Sequence, residues 1–243
     1  MDETVKLADA TFAEVRDLLP RDPVALVPVG ALEAHGPHLP LATDVIIADG
    51  IVRRAAAALE AGGHAAAIAP AIVYSVTDYA RGFAGTVGLT AAAATAHVQG
   101  VIDGLARTGF RKICLVNAHL EPAHVEVLRG VRGAALVDCL ERRFARTLTE
   151  EFKRGACHAG SYETSLVLAE RPDLVRGLRA GLPPVAVDLA AAMRRGVQTF
   201  EEAGAPQAYF GDPAAATSAE GEAIYALLVE MVLTVLRESF SVA

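Results

Sequence analysis

The amino-acid sequence predicts an α/β fold in which a mostly parallel sheet is covered by helices on both faces. Three observations carry that reading. Short continuous apolar runs recur along the chain, the pattern of strands buried on both sides. Segments of helical length, several with recognisable caps, separate them. The 243 residues are 53% hydrophobic and 21% charged, with the charges spread evenly. That balance excludes a disordered chain and fits one large domain spanning residues 1–243.

The elements follow in order. Thr11 and Glu14 make a capping-box pattern ahead of a short helix that stops at Pro20. Val24–Val29 is an unbroken apolar run and the first predicted strand. Residues 30–43 form a loop rich in Gly, Pro and His, and a helix runs from Asp44 to Glu60 until Gly62-Gly63 ends it. Ala65–Ala69 is the second strand, followed by an irregular excursion over residues 71–89. Thr90 caps an alanine-rich helix that closes near Gly109. Lys112–Val116 is the third strand, with a helix after Pro122. Ala134–Cys139 is the fourth strand, and a helix then reaches Lys153. The loop 155–162 leads into a helix through Ala169. Residues 171–215 show little pattern beyond a helix around Asp188–Arg195, and Thr217 with Glu220 repeats the capping box before the last long helix.

Composition removes several function classes. The formal net charge is −7, and no Lys/Arg cluster exceeds a pair, so no nucleic-acid footprint is present. Cys114, Cys139 and Cys157 have no CxxC spacing, which argues against a disulfide framework or a thiolate zinc site and suits a reducing compartment. The start, Met1-Asp-Glu-Thr, is acidic where a secretory signal would be basic, and the apolar stretch Ala223–Leu236 is broken by Glu230. A cytoplasmic protein without membrane contact is expected. No GxGxxG, GxxxxGK[ST] or GxSxG pattern marks nucleotide binding or a serine hydrolase.

Chemistry concentrates in loops that leave predicted strand ends, where such folds place their sites. Residues 30–44 carry Glu33, His35 and Asp44, and residues 117–122 carry His119 and Glu121. Each loop has a carboxylate and an imidazole two residues apart, in opposite order. At that spacing an extended backbone turns both side chains to one face, offering one oxygen and one nitrogen to an ion. Glu, His, Asp, His and Glu suit zinc or manganese, and if Asp44 bridges, each of two ions has three protein ligands and an open position. Two ions roughly 3.5–4 Å apart are typical of hydrolytic sites. The ordinary alternative is that the His-x-Glu spacing is fortuitous and that Asp44 simply favours a helix start. His38 is expected to hydrogen-bond within its Pro-rich loop, and the pattern assigns no role to His124. In a third loop, His158 is a candidate to protonate a leaving amine or bind substrate. Glu163 falls in a first helical turn, where structural and functional roles are equally compatible. Cys157 beside His158 is a weak thiol-nucleophile signal, since sequence neighbours rarely meet productively.

At these residues the chain resembles the creatininase (creatinine amidohydrolase) family. Gly30-Ala-Leu-Glu-Ala-His-Gly-Pro-His-Leu-Pro-Leu-Ala-Thr-Asp44 is similar to its long signature block. Phe83-Ala-Gly-Thr86, His158-Ala-Gly-Ser-Tyr-Glu-Thr-Ser165 and Gly211-Asp-Pro213 with Ala216-Thr217 match further blocks in order, so the resemblance covers nearly the whole chain. It implies a three-layer α/β/α sandwich, two divalent metal ions (zinc, manganese or iron), homo-oligomers that are often hexamers, and hydrolysis of a small-molecule, non-peptide amide. It also implies that Glu33, Asp44 and His119 hold one ion, that His35, Asp44 and Glu121 hold the other, and that His158 is the catalytic or substrate-binding histidine. Departures bear on substrate. Members that take creatinine close tryptophans over it, and this chain has none. Leu120 stands where those members have a Tyr, Thr77 where they have a Ser hydroxyl, and Cys157 where an acid precedes the histidine; all three positions are implied to face substrate. Glu163 is expected to support the ligands from behind. Other members act on a formylated ribonucleotide or on a peptide precursor of a redox cofactor. A small-amide hydrolase is therefore the leading expectation, a peptidase trimming a mycofactocin-type precursor the next, and an inactive metal-containing binding protein a third.

Overall fold

The computed structural model describes residues 4–155 and 158–242. Five strands lie in the order β1-β3-β2-β4-β5, every neighbouring pair parallel. They are β1 (Val5–Lys6), β2 (Val24–Val29), β3 (Ala66–Ile68), β4 (Lys112–Asn117) and β5 (Ala135–Val137). β2 is buried over its whole length, as its lack of polar alternation requires. Its side chains alternate between two cores. Val24 and Leu26 pack with α2 (Thr43–Ala61), α7 (Ser161–Glu170) and α9 (Ser218–Phe240). Ala25, Val27 and Val29 pack with α3 (Ala91–Thr108) and α4 (Pro122–Gly130) on the opposite face. The α/β fold with a parallel sheet between helical layers is thus present.

Cap chemistry sets the helix ends as the sequence foretells. The capping box at Thr11 and Glu14 starts α1 (Phe12–Leu18), Thr90 accepts from Ala93 N at the start of α3, and Gly109 ends α3 in the left-handed region. Two expectations shift. β1 adds a fifth strand that two residues could not announce. The helix expected after β5 divides into α5 (Arg142–Ala145) and α6 (Glu150–Lys153), because Thr149 caps a new helix there. The weakly patterned stretch 171–215 contains α8 (Leu189–Arg194), capped by Asp188, and a single antiparallel bridge, Val185 to Gly211. Among the described residues no helix is long and apolar enough to cross a membrane.

What positions the site is the pairing of β2 with β4. Val29 lies opposite Asn117, and Ala118 N donates to Val29 O at 3.0 Å. The two strands therefore end side by side, and the loops that leave them emerge together. Gly30 lets α2 approach as well: a Cβ there would lie 2.7 Å from Val45 N and 2.8 Å from the Asp44 carbonyl carbon. Asp44, in the first turn of α2, is brought beside both loops by that close passage.

Candidate metal centre

Six side chains converge beyond the carboxyl ends of β2 and β4. Glu33, Asp44 and His119 present ligand atoms within 4.8 Å of one another, as do His35, Asp44 and Glu163, and Glu33, His35 and His158 form a third overlapping group. All are buried. His119 Nδ1 lies 3.0 Å from Asp44 Oδ2 and 3.3 Å from Glu33 Oε1. His35 Nε2 lies 3.0 Å from Asp44 Oδ1 and 3.5 Å from Glu163 Oε2. Asp44 thus turns one oxygen to each imidazole, the disposition of a bridging carboxylate.

The outward nitrogen of each ring is held by the main chain. His35 Nδ1 donates to Glu33 O at 3.1 Å, His119 Nε2 to Val76 O at 2.9 Å, and His158 Nε2 to Ala34 O at 2.9 Å. A ring that donates through one nitrogen turns the other to the centre, where it can serve as a ligand once unprotonated, so three ring nitrogens face the centre. Two atoms there lack any hydrogen-bond partner although buried: His35 Nε2 and Asp44 Oδ2. Orphaned buried polar atoms are rare, and here they are donors of the kind zinc or manganese accepts. The residues fit a divalent metal.

Electrostatics agree. Burial would lower the His35 imidazole, but Asp44 with Glu163 and Glu33 outweighs it and pushes His35 up to about 10. His119 rises well above the usual range for the same reason, burial being overcome by Glu33 and Asp44. Glu33, despite burial, is held down at about 2, chiefly by His119. Burial pushes Glu163 up to about 8. Burial and then the charge on His35 lower His158 to about 4, leaving it neutral at pH 7. Protons on two imidazoles compensate the carboxylates where cations would otherwise do so.

Glu121 stands outside these groups: its two oxygens accept from Asp78 N at 3.0 Å and Tyr79 N at 3.2 Å, clamping the 71–89 excursion. Glu163 occupies the place beside His35 and Asp44 instead, while its Oε2 also accepts from Ala159 N at 2.6 Å. The Thr77 hydroxyl is engaged by Glu33 Oε2 rather than open to substrate. Leu120 borders the cavity over the centre, as do His158, Glu121 and Glu163. Cys157 lies outside the described residues. His38 bonds Thr164 Oγ1 at 3.0 Å, outside its own loop. His124 is buried behind His119 with ring centroids 4.7 Å apart, accepting from Ser75 Oγ at 2.6 Å and donating to Asn117 Oδ1 at 2.9 Å. Asn117 in turn bonds the backbone of His119 through both amide atoms. Glu151 ties the His158 loop to the last turn before α9, accepting from Tyr162 N at 3.0 Å and Asp212 N at 2.7 Å. Asn117 was visible inside its motif, but nothing in sequence marks Ser75 or Glu151, which meet their partners only through folding.

Comparison with known proteins follows the same outline. A family model described as Creatininase: Creatinine amidohydrolase matches residues 8–236. The chain is 35% identical over 216 residues to a mycofactocin precursor peptide peptidase of Mycolicibacterium smegmatis, covering 85% of this chain and 81% of that one. It is 30% identical over 200 residues to the creatinine amidohydrolase of Pseudomonas putida, covering 72% and 75%. Creatininase structures in manganese and zinc–zinc forms each superpose with a TM-score of 0.73 at 25% identity, covering 98% of this chain and 99% of theirs.

Proposed function

The chain belongs to the creatininase family, and from that premise we propose that it is a metal-dependent amidohydrolase working with two divalent ions. Glu33, Asp44 and His119 would hold one, and His35, Asp44 and Glu163 would hold the other, with Asp44 common to both sets. Zinc, manganese or iron bound there would lower the pKa of a water and polarise an amide carbonyl. The remaining work falls to the protein. His158 is neutral at pH 7, and its Nε2–H is fixed on Ala34 O. Its Nδ1 is therefore free to take a proton and hand it to the departing nitrogen. Thr77 holds the outer oxygen of Glu33 and so sets which oxygen faces inward. The observation that carries this reading is the buried Asp44 carboxylate turning one oxygen to His35 Nε2 and the other to His119 Nδ1, each at 3.0 Å, with neither His35 Nε2 nor Asp44 Oδ2 satisfied by a hydrogen bond.

The scissile bond is read in two ways. Family membership and the Pseudomonas putida relative favour a small non-peptide amide. The higher identity to precursor-peptide peptidases favours a peptide bond. Metal analysis of the purified, reconstituted protein is expected to find about two ions per chain, with turnover across an amide library abolished by chelation. Less than one zinc, manganese or iron per chain would end the reading. Turnover of peptides but not of small cyclic amides would decide for the peptidase.

A further inference from the structure

A cavity of about 490 Å³ opens over the metal centre, with Glu33, His119, His158 and Glu163 at its floor. That volume lies in the range that encloses most of a drug-sized molecule, so a single small ring would leave much of it to water. Its walls are mostly apolar, with Leu120, Leu140, Phe152, Leu189, Met193 and Phe200 beside Tyr79 and Glu121, the latter's oxygens already held by Asp78 N and Tyr79 N. Beyond them, Lys153, Arg154 and Arg194 also border the cavity and are exposed at its mouth. Lys153 pairs with Glu150 at 2.8 Å. Asp188, a carboxylate that also borders the cavity, caps α8 by accepting from Ala191 N at 2.8 Å. The side chains of Arg154 and Arg194 make no hydrogen bond and no close ion pair among the described residues, Glu150 reaching Arg154 only through its longer-range charge. An apolar throat between a buried metal centre and two unpaired guanidinium groups is complementary to one kind of molecule.

We propose that the cavity takes an elongated amide with an apolar body and a terminal oxyanion, a carboxylate or a phosphate, paired by Arg154 and Arg194. The inference rests on the two-metal hydrolase reading for the position of the scissile amide. A planar guanidinium can hold either oxyanion through two parallel hydrogen bonds. The Coulombic attraction would also draw an anion toward a chain whose net charge is otherwise negative.

The test uses the metal-loaded, full-length protein and a matched series: an N-acetylated dipeptide of apolar residues as the free acid, as its C-terminal carboxamide, and with a terminal phosphate ester. The kcat/KM for an anionic member is expected to exceed that of the carboxamide by about tenfold, mostly through KM. Whether the acid or the phosphate ester leads identifies the oxyanion. Arg194→Gln and Arg154→Gln should each shrink the ratio toward one, and Arg194→Glu should invert it, with metal content checked in every variant. Equal turnover of acid, phosphate ester and carboxamide, or a ratio that neither arginine variant moves, overturns the proposal. Equilibrium binding of dipeptide-length hydroxamates, with and without a terminal carboxylate, separates the two readings. Preference for the anionic hydroxamate without hydrolysis of any amide would keep this site and sink the hydrolase. Hydrolysis with no preference for an anion would do the reverse.

Discussion

Glu121 and Glu163 show how much rests on one carboxylate. Both are buried, both sit at helix starts, and both border the cavity, yet only Glu163 reaches His35 and Asp44. Glu163→Gln keeps the volume and removes the anionic charge, so the ion between His35 and Asp44 should be lost while the Glu33, Asp44 and His119 ion stays. Elemental analysis should then read about one metal per chain, and activity should fall by orders of magnitude. Glu121→Gln should keep both ions. It turns one acceptor into a donor facing Asp78 N or Tyr79 N, and the lost hydrogen bond should cost about 1–3 kcal/mol in chemical denaturation. The opposite pattern of metal counts would return Glu121 to the role its sequence position implies. The motif made Glu121 legible as a candidate because it lies two residues from His119. Glu163 reaches the centre only because α7 packs against α2, a tertiary fact with no local signature.

At the scale of elements, the close passage of α2 over Gly30 is the feature that most directly couples fold to site. Gly30→Ala would drive a Cβ into the backbone of Asp44 and Val45, which cannot yield as a side-chain tip can. The start of α2 must shift and take Asp44 with it. Thermal melts should show a loss of about 1–3 kcal/mol, accompanied by loss of metal from both positions, since both share Asp44. Gly100→Ala is the matched control. Its Cβ would meet nothing, inside an exposed part of α3, so it should gain about 0.5–1 kcal/mol and leave metal content alone. A Gly30→Ala protein with full metal content would break the link argued between helix placement and ligand placement. The elements that do this positioning, β2, α2, α3 and β4, were all legible, since each announces itself by an unbroken apolar run or a capping residue. β1 was not, because two residues on a sheet edge carry no periodicity. The division of α5 from α6 was missed because Thr149 reads equally well inside a helix as at its cap.

For the molecule as a whole, the centre gathers the ends of β2 and β4, the start of α2 and the entry to α7, so metal bound by the proposed ligands should add to stability. In the metal-free protein, His35 is raised to about 10 and His119 well above its usual range. The stability these imidazoles contribute is fully present below about 6.5, the unfolded value, and is lost as pH rises through the folded values. Glu163, raised to about 8, works in the same direction, since its folded form holds a proton that the unfolded chain has released. The chelated protein should therefore lose Tm between pH 7 and pH 10, while the loaded protein, its cations replacing those protons, should lose much less. Loading at pH 7 should release about three protons per chain, from His35, His119 and Glu163, measurable by calorimetry in buffers of different ionisation enthalpy. Parallel Tm profiles with and without metal would refute the linkage. The rings of His35, His119 and His158 are oriented by carbonyl oxygens of Glu33, Val76 and Ala34. Every amino acid supplies a carbonyl, so substitution at those three positions leaves the acceptors in place wherever the backbone path survives. The cavity wall, by contrast, is built of side chains that single substitutions can replace. Drift in the wall can then redirect which amide is accepted while the tautomers at the metal centre stay put, which makes substrate range and metal chemistry separately evolvable in this scaffold.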